Sequence, residues 1–362
     1  MLSVFRNMLV ILVLGLSNCS LAAEYRLETW VDGLDKPWSI TFLPDGSALV
    51  TELGGQLLHI DVSGEPVISR IENAPEVYFA GQGGLFDVVL HPRFPENQLV
   101  YLSYAEGSRN DNGTAVARGR LSGNTLQDLE VIFRNYSRKD TPVHYGGRMA
   151  FLPDGSLLLT TGDGFDYREA AQDIDSGLGK VLRMNDDGTP AGGNPFPGAP
   201  YVYSYGHRNP QGLAVSRSGE IWLHEHGPRG GDELNRIKPG VNYGWPAITH
   251  GVDYSGAVIS PFTEREGMAQ PEYYWVPSIA PSGLAIYEAD AFPAWKGSLF
   301  VGALVNREVR RLDFSAGELT GEESVFSEIA ARIRDVRTGP DGMLYILTPD
   351  RIVRVVPANA AD

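Results

Sequence analysis

The chain has 362 residues, 42 of them Gly and 24 Pro, with 43% hydrophobic residues and a formal net charge of −15. That apolar content excludes a disordered polymer, and the density of helix breakers excludes a helical bundle, so the chain reads as all-β. With 45 acidic against 30 basic residues and no dense Lys/Arg cluster, it has no basic face for a nucleic-acid partner.

The N-terminus carries one positive charge at Arg6, an apolar run from Met8 to Leu16, and the small-x-small sequence Ser20-Leu21-Ala22. The run is far shorter than the ~20 residues a bilayer needs, which predicts a cleaved signal peptide over 1–22 and export to the periplasm or beyond. Leu16-Ser17-Asn18-Cys19 half-resembles a bacterial lipoprotein signal, which would instead leave a lipid anchor at the envelope. Cys19 is the sole cysteine, so no disulfide forms within the fold. Residues 23–362 hold no linker-like stretch and read as a single domain.

Along that domain one turn-plus-strand unit recurs. Phe42-Leu43-Pro44-Asp45-Gly46-Ser47 precedes Ala48-Leu49-Val50, and His91-Pro92-Arg93-Phe94-Pro95-Glu96-Asn97 precedes Leu99-Val100-Tyr101-Leu102. Phe151-Leu152-Pro153-Asp154-Gly155-Ser156 precedes Leu157-Leu158-Leu159, and Ser216-Arg217-Ser218-Gly219 precedes Ile221-Trp222-Leu223. The last two are Pro293-Ala294-Trp295-Lys296-Gly297 before Leu299-Phe300-Val301, and Gly339-Pro340-Asp341-Gly342 before Met343-Leu344-Tyr345-Ile346. In the clearest copies Pro presets the first turn position, Asp bonds its own backbone, and Gly takes positive φ. Six units at this spacing predict a six-bladed β-propeller of four-stranded antiparallel sheets. Closure is expected from Ile352–Val356 pairing with Tyr25–Thr29.

In a propeller, chemistry gathers at one mouth of the central channel, and four Gly-rich polar stretches stand out. They are His144-Tyr145-Gly146-Gly147-Arg148 with Thr161-Gly162-Asp163-Gly164; Tyr205 to Gly212; Glu225 to Asn235 with Asn242-Tyr243-Gly244-Trp245-Pro246; and Ala331 to Val336. His144 is a candidate general base, with Asp163 to fix its tautomer. Arg332 and Arg334 alternate with Ile333 on an expected strand, so both would face one side and, with Arg208, clamp a polyanion. Only five of the 30 basic residues are Lys, and the Arg excess suits fixed bidentate contacts with anions. His224 and His226 invite a zinc reading, but no further Cys or nearby His completes a site. The Gly227-Pro228 turn followed by acidic residues better suits calcium held by carbonyl oxygens.

In these residues, and in Gly81-Gln82-Gly83-Gly84-Leu85 and Ala280-Pro281-Ser282-Gly283, the chain resembles the soluble pyrroloquinoline quinone (PQQ) dependent aldose sugar dehydrogenases of the glucose/sorbosone dehydrogenase family. The resemblance implies oxidation of an aldose at C1 to the lactone, with His144 taking the hydroxyl proton, Asp163 orienting it, and hydride passing to C5 of the quinone. It implies that Arg208 polarises the quinone carbonyl and that Gln82 lies near substrate and cofactor. Asn209, Asp232, Arg332 and Arg334 would line the PQQ pocket, and Gly227 and Pro228 would offer main-chain oxygens to calcium.

Val305 stands where the family's glucose enzyme has a cofactor-contacting Lys, which implies either substitution by Arg307 or weaker cofactor binding; His226 also replaces a different polar residue. The expected partners are an aldose and a separate electron acceptor, with the chain a monomer or homodimer. A calcium-dependent lactonase and a non-catalytic sugar- or partner-binding propeller are the alternative readings.

Overall fold

The computed structural model describes residues 24–359; the signal-peptide and Cys19 expectations lie outside the described residues. Six four-stranded antiparallel sheets form the six blades of a β-propeller. Blade 1 comprises Pro37–Phe42, Ala48–Glu52, Gln56–Asp61 and Val67–Ile71, and blade 2 comprises Leu85–Leu90, Leu99–Ser108, Asp111–Ser122 and Thr125–Arg134. Blade 3 is built from Met149–Phe151, Leu157–Thr161, Lys180–Met184 and Val202–Tyr205, and blade 4 from Pro210–Val215, Ile221–Glu225, Asp232–Ile237 and Tyr273–Trp275. Pro281–Ile286, Leu299–Ala303, Val309–Ser315 and Glu318–Val325 make blade 5. Blade 6 takes Asp335–Thr338, Leu344–Leu347 and Arg351–Pro357 and borrows Tyr25–Asp32 as its outer strand. Tyr25 pairs with Pro357 and Thr29 with Val353, so the two ends of the chain close the ring as expected.

Each of the six turn units joins the first and second strands of one blade. Asp45 Oδ1 accepts the Ser47 N–H at 3.0 Å and its hydroxyl at 2.6 Å, and Asp154 holds Ser156 at 2.9 and 2.6 Å. Gly46 and Gly155 follow at φ +88° and +84°, a region closed to most side chains. In blade 5 the turn also builds core: Trp295, 1% exposed, stacks on Phe292 at 4.0 Å and packs against Phe300 and Phe326 between blades 5 and 6. Such inter-blade layers supply the burial that holds the ring, since a fully buried large apolar side chain contributes about 1.5–3 kcal/mol. Among the described residues no helix is long and apolar enough to cross a membrane.

The first strands of all six blades meet their neighbours around the central channel. Because each turn unit closes the far end of a hairpin, residues entering first strands and residues leaving second strands gather at the opposite mouth. Gln82, His144, Arg208, Asn209, Ala280, Arg332 and Arg334 enter first strands; Leu53, Asp163, Gly227 and Leu304 leave second strands.

Candidate active site

His144 is buried and sits at φ +52°, a backbone state that a non-glycine residue holds only when its surroundings fix it. Its N–H donates to Gln82 Oε1 at 2.8 Å, and its Nδ1 pairs with Asp163 Oδ1 at 2.7 Å. Gly162, just before Asp163, leaves room for this approach, because a Cβ there would stand 2.3 Å from the His144 carbonyl oxygen. Asp163 Oδ1 also accepts the Phe165 N–H at 2.8 Å, and Oδ2 accepts Trp245 Nε1–H at 2.8 Å. Burial alone would raise the Asp163 carboxyl, but His144, Arg208 and the Phe165 N–H outweigh it and hold the group below its ordinary value. Asp163 is therefore a carboxylate, His144 donates through Nδ1, and the Nε2 lone pair is left to take a proton.

Burial pushes the His144 imidazole below its usual value, against the pull of Asp163. A base with a lowered pKa stays unprotonated through neutral pH, so kcat/KM for a reaction relying on it should be flat there. It should fall only on the acid side, with a midpoint below about 6.5. Burial also brings Lys139, behind the dyad, down to about 7. Measuring the profile in Lys139→Met separates the two: the acid limb persists if His144 causes it, and a limb that disappears refutes the assignment.

Beside the dyad lies a cavity of about 220 Å³. Trp38, Phe86 and Tyr145 give it aromatic walls, Gln82, Asn209, Gln211 and His226 line it with polar groups, and Arg332 and Arg334 supply its charge. No Asp or Glu lines it. Burial, together with Arg148 and Arg332, pushes Arg334 down to about 10, as expected of a cation short of a counter-ion.

The expected strand over Arg332–Arg334 does not form; the first strand of blade 6 begins at Asp335. The two arginines still reach the same cavity, because Ile333 between them is fully buried in the core between blades 5 and 6.

Arg208 is buried, and its Nη1 donates to the carbonyls of Gly227 at 2.6 Å and His226 at 3.1 Å. Its Nε is buried without a partner, an unmet donor that fits an anionic or carbonyl oxygen. Its backbone N–H is held by Glu225, which also takes His207 Nδ1 at 2.9 Å, and His207 Nε2 in turn meets Ser204 Oγ at 2.9 Å. This Ser–His–Glu series is fully buried and serves to fix the Arg208 turn. Arg208, with Pro228, Phe165, Trp245 and Tyr254, also lines a second hollow of about 250 Å³. His144 stands between the two, touching the Phe165 ring edge-on at 5.2 Å.

Several expected residues sit differently. Asp232 lies behind the wall rather than in it: its carboxylate accepts Gly227 N–H, Ser278 Oγ–H, Ile279 N–H and Ala280 N–H at 2.6 to 2.9 Å. It thereby staples the Gly227-Pro228 turn to the segment that brings Ala280 to the cavity. His224 and His226 do not converge; their Nε2 atoms meet the carbonyls of Gly283 and Pro281. Among the described residues no group of three or more His, Cys, Asp or Glu side chains could hold a metal. Val305 points outward at 57% exposure, and Leu304, rather than Arg307, reaches the cavity.

The aromatic walls went unforeseen, since Trp38 and Phe86 look in sequence like any core residues. Trp245 and Tyr145 lay within conspicuous motifs.

Residues 34–356 match the family model "Glucose / Sorbosone dehydrogenase". The chain is 42% identical over 352 residues to aldose sugar dehydrogenase YliI of Escherichia coli, covering 93% of this chain and 94% of that one. It superposes on the apo-form crystal structure of the soluble aldose sugar dehydrogenase from Escherichia coli with a TM-score of 0.88 and 40% identity, over 92% of this chain and 99% of that one. The PQQ-bound aldose sugar dehydrogenase from Streptomyces coelicolor matches with a TM-score of 0.75 and 30% identity, over 92% and 99% of the two chains. With the model spanning nearly the whole described chain and the shared architecture closing on the same ring, this protein belongs to the glucose/sorbosone dehydrogenase family.

Proposed function

We propose that the protein oxidises aldose sugars at C1 to the lactone, using PQQ as hydride acceptor with calcium beside it. The observation that carries this reading is the pairing of a neutral, Asp163-oriented His144 with an acid-free cavity holding Arg332 and Arg334. PQQ is a flat, polycarboxylate quinone, and it supplies the two-electron sink. Arg332 and Arg334 would meet its carboxylates, Asn209 and the aromatic walls would flank it, and the unpartnered Arg208 Nε would serve a carbonyl oxygen on which charge develops.

In this scheme His144 Nε2 accepts the proton of the C1 hydroxyl as the C1–H leaves with its electron pair. Asp163 holds the resulting imidazolium, and Gln82 keeps the His144 backbone in place. The aldose would enter through the aromatic-sided hollow of Phe165, Trp245 and Tyr254. A separate electron acceptor would then return the enzyme to its oxidised state.

Main-chain carbonyls are the donors a hard cation accepts, and the Gly227-Pro228 turn presents them. Calcium there would share the Gly227 oxygen, which accepts from Arg208 Nη1 at 2.6 Å. A lactonase centre built on side-chain carboxylates has no counterpart among the described residues.

Titrating purified protein with PQQ, with and without calcium, and then assaying aldose-dependent dye reduction tests the proposal. Saturable, calcium-strengthened PQQ binding and reduction with aldoses are expected. Activity without PQQ, or PQQ binding indifferent to EGTA, contradicts it.

A further inference from the structure

We infer that Arg148, the last residue of His144-Tyr145-Gly146-Gly147-Arg148, is the positioning residue of the cofactor cavity, acting from behind its wall through a charge cluster that plugs the channel. This rests on the reading of that cavity as the PQQ site.

Arg148 is completely buried and does not line the cavity, yet it touches three residues that do. Its guanidinium lies 4.0 Å from the Trp38 ring centroid, its Nε donates to the Gln211 carbonyl at 2.9 Å, and its Nη2 donates to the Arg334 carbonyl at 3.2 Å. Nη1 faces Asp335 at 3.1 Å and Asp87 at 3.8 Å. Arg337 closes the cluster from below, with Nε on Asp335 Oδ2 at 2.9 Å and Nη2 on Asp87 Oδ1 at 3.0 Å.

Ser39 donates to Asp87, and Ser282 donates to the Arg334 carbonyl at 2.7 Å while accepting from Arg334 Nη1 at 3.2 Å. All six blades thus send a group to this cluster: Ser39, Asp87, Arg148, Gln211, Ser282 and Asp335 with Arg337.

Two cations and two carboxylates cancel, so the plug neutralises itself and leaves Arg332 and Arg334 uncompensated in the cavity above. A charge placed so deeply serves better as a fixed rivet than as a source of stability, because burying ion pairs gains little net energy. Holding both the backbone and the side chain of Arg334 restricts its long side chain before any ligand arrives. Pre-organisation of this kind raises affinity by removing ordering cost at binding.

The test compares wild type with Arg148→Lys, which keeps the charge toward Asp87 and Asp335 but loses the forked donors, and Ser282→Ala, which frees the Arg334 guanidinium and leaves its carbonyl to Arg148 alone. PQQ binding is measured by calorimetry in calcium buffer, alongside thermal melting. Folded variants should bind PQQ about tenfold more weakly or worse, the loss expected for charge-assisted hydrogen bonds, with Ser282→Ala melting close to wild type. Should Arg148→Lys fail to fold, Ser282→Ala decides whether the cluster acts on PQQ through its hold on Arg334. Wild-type PQQ affinity in a folded variant, or weakening only in proportion to lost melting temperature, overturns the inference. Wild type that binds no PQQ removes the cofactor reading itself, and this inference with it.

Discussion

His144→Ala is expected to lower kcat by about 10²–10⁴-fold, the span that general-base catalysis covers, while PQQ still binds. The separation follows from where the residue sits. Its ring is committed to Asp163 on one side and to the reacting proton on the other, and no cofactor-holding arginine depends on it. The side chain is buried, so truncation also opens space beside Phe165; retained PQQ affinity and an unchanged circular dichroism spectrum identify the effect as chemical. The measurement is dye-linked turnover at saturating PQQ, calcium and aldose. Activity within a few-fold of wild type would mean that another group takes the proton.

Arg208→Met should cost about 10²–10³-fold in kcat with cofactor saturating, the range seen when one pre-organised donor to a developing oxyanion is removed. Arg208 is suited to this role because everything around it is fixed: Glu225 holds its backbone, the Gly227 and His226 carbonyls hold Nη1, and Nε is buried without a partner. Methionine fills similar volume without a donor, so the packing of Trp245 and Tyr254 against the side chain survives. Because calcium is proposed to share the Gly227 oxygen, the variant should also lose part of its response to EGTA. Full kcat in Arg208→Met would remove electrostatic stabilisation by this side chain from the mechanism.

The ring was legible because its signal is local. In Pro44-Asp45-Gly46 and Pro153-Asp154-Gly155 the residues that make the turn are the residues that bond within it, and six such turns define six hairpins. The His144–Asp163 pair was legible for a related reason: both sit in short Gly-rich stretches at blade entries and exits, where a polar side chain has few structural uses. Arg332 and Arg334 reach one cavity by a different route from the one expected, since their spacing around buried Ile333 matters and the expected strand does not form.

What stayed hidden depends on contacts distant in sequence. Asp232 binds residues 46 to 48 positions away, so the resemblance implied a place in the pocket lining where the fold makes it a staple. Trp38 faces the cavity from an ordinary strand, and Arg148 was conspicuous only as the tail of a motif. Val305 is a loss on paper that the fold partly reinterprets: its side chain points to solvent, and the cavity's charge resides in the two arginines and the nearby Arg208.

The most direct measurement is a single-turnover experiment: protein loaded with PQQ and calcium is mixed anaerobically with glucose, without an electron acceptor, and the cofactor spectrum is followed. Wild type should reduce its bound PQQ in one saturable phase and release one equivalent of lactone, while His144→Ala loaded to the same extent should remain oxidised on that timescale. Bound PQQ that glucose and other aldoses leave oxidised in the wild type, or that His144→Ala reduces equally fast, would contradict the account.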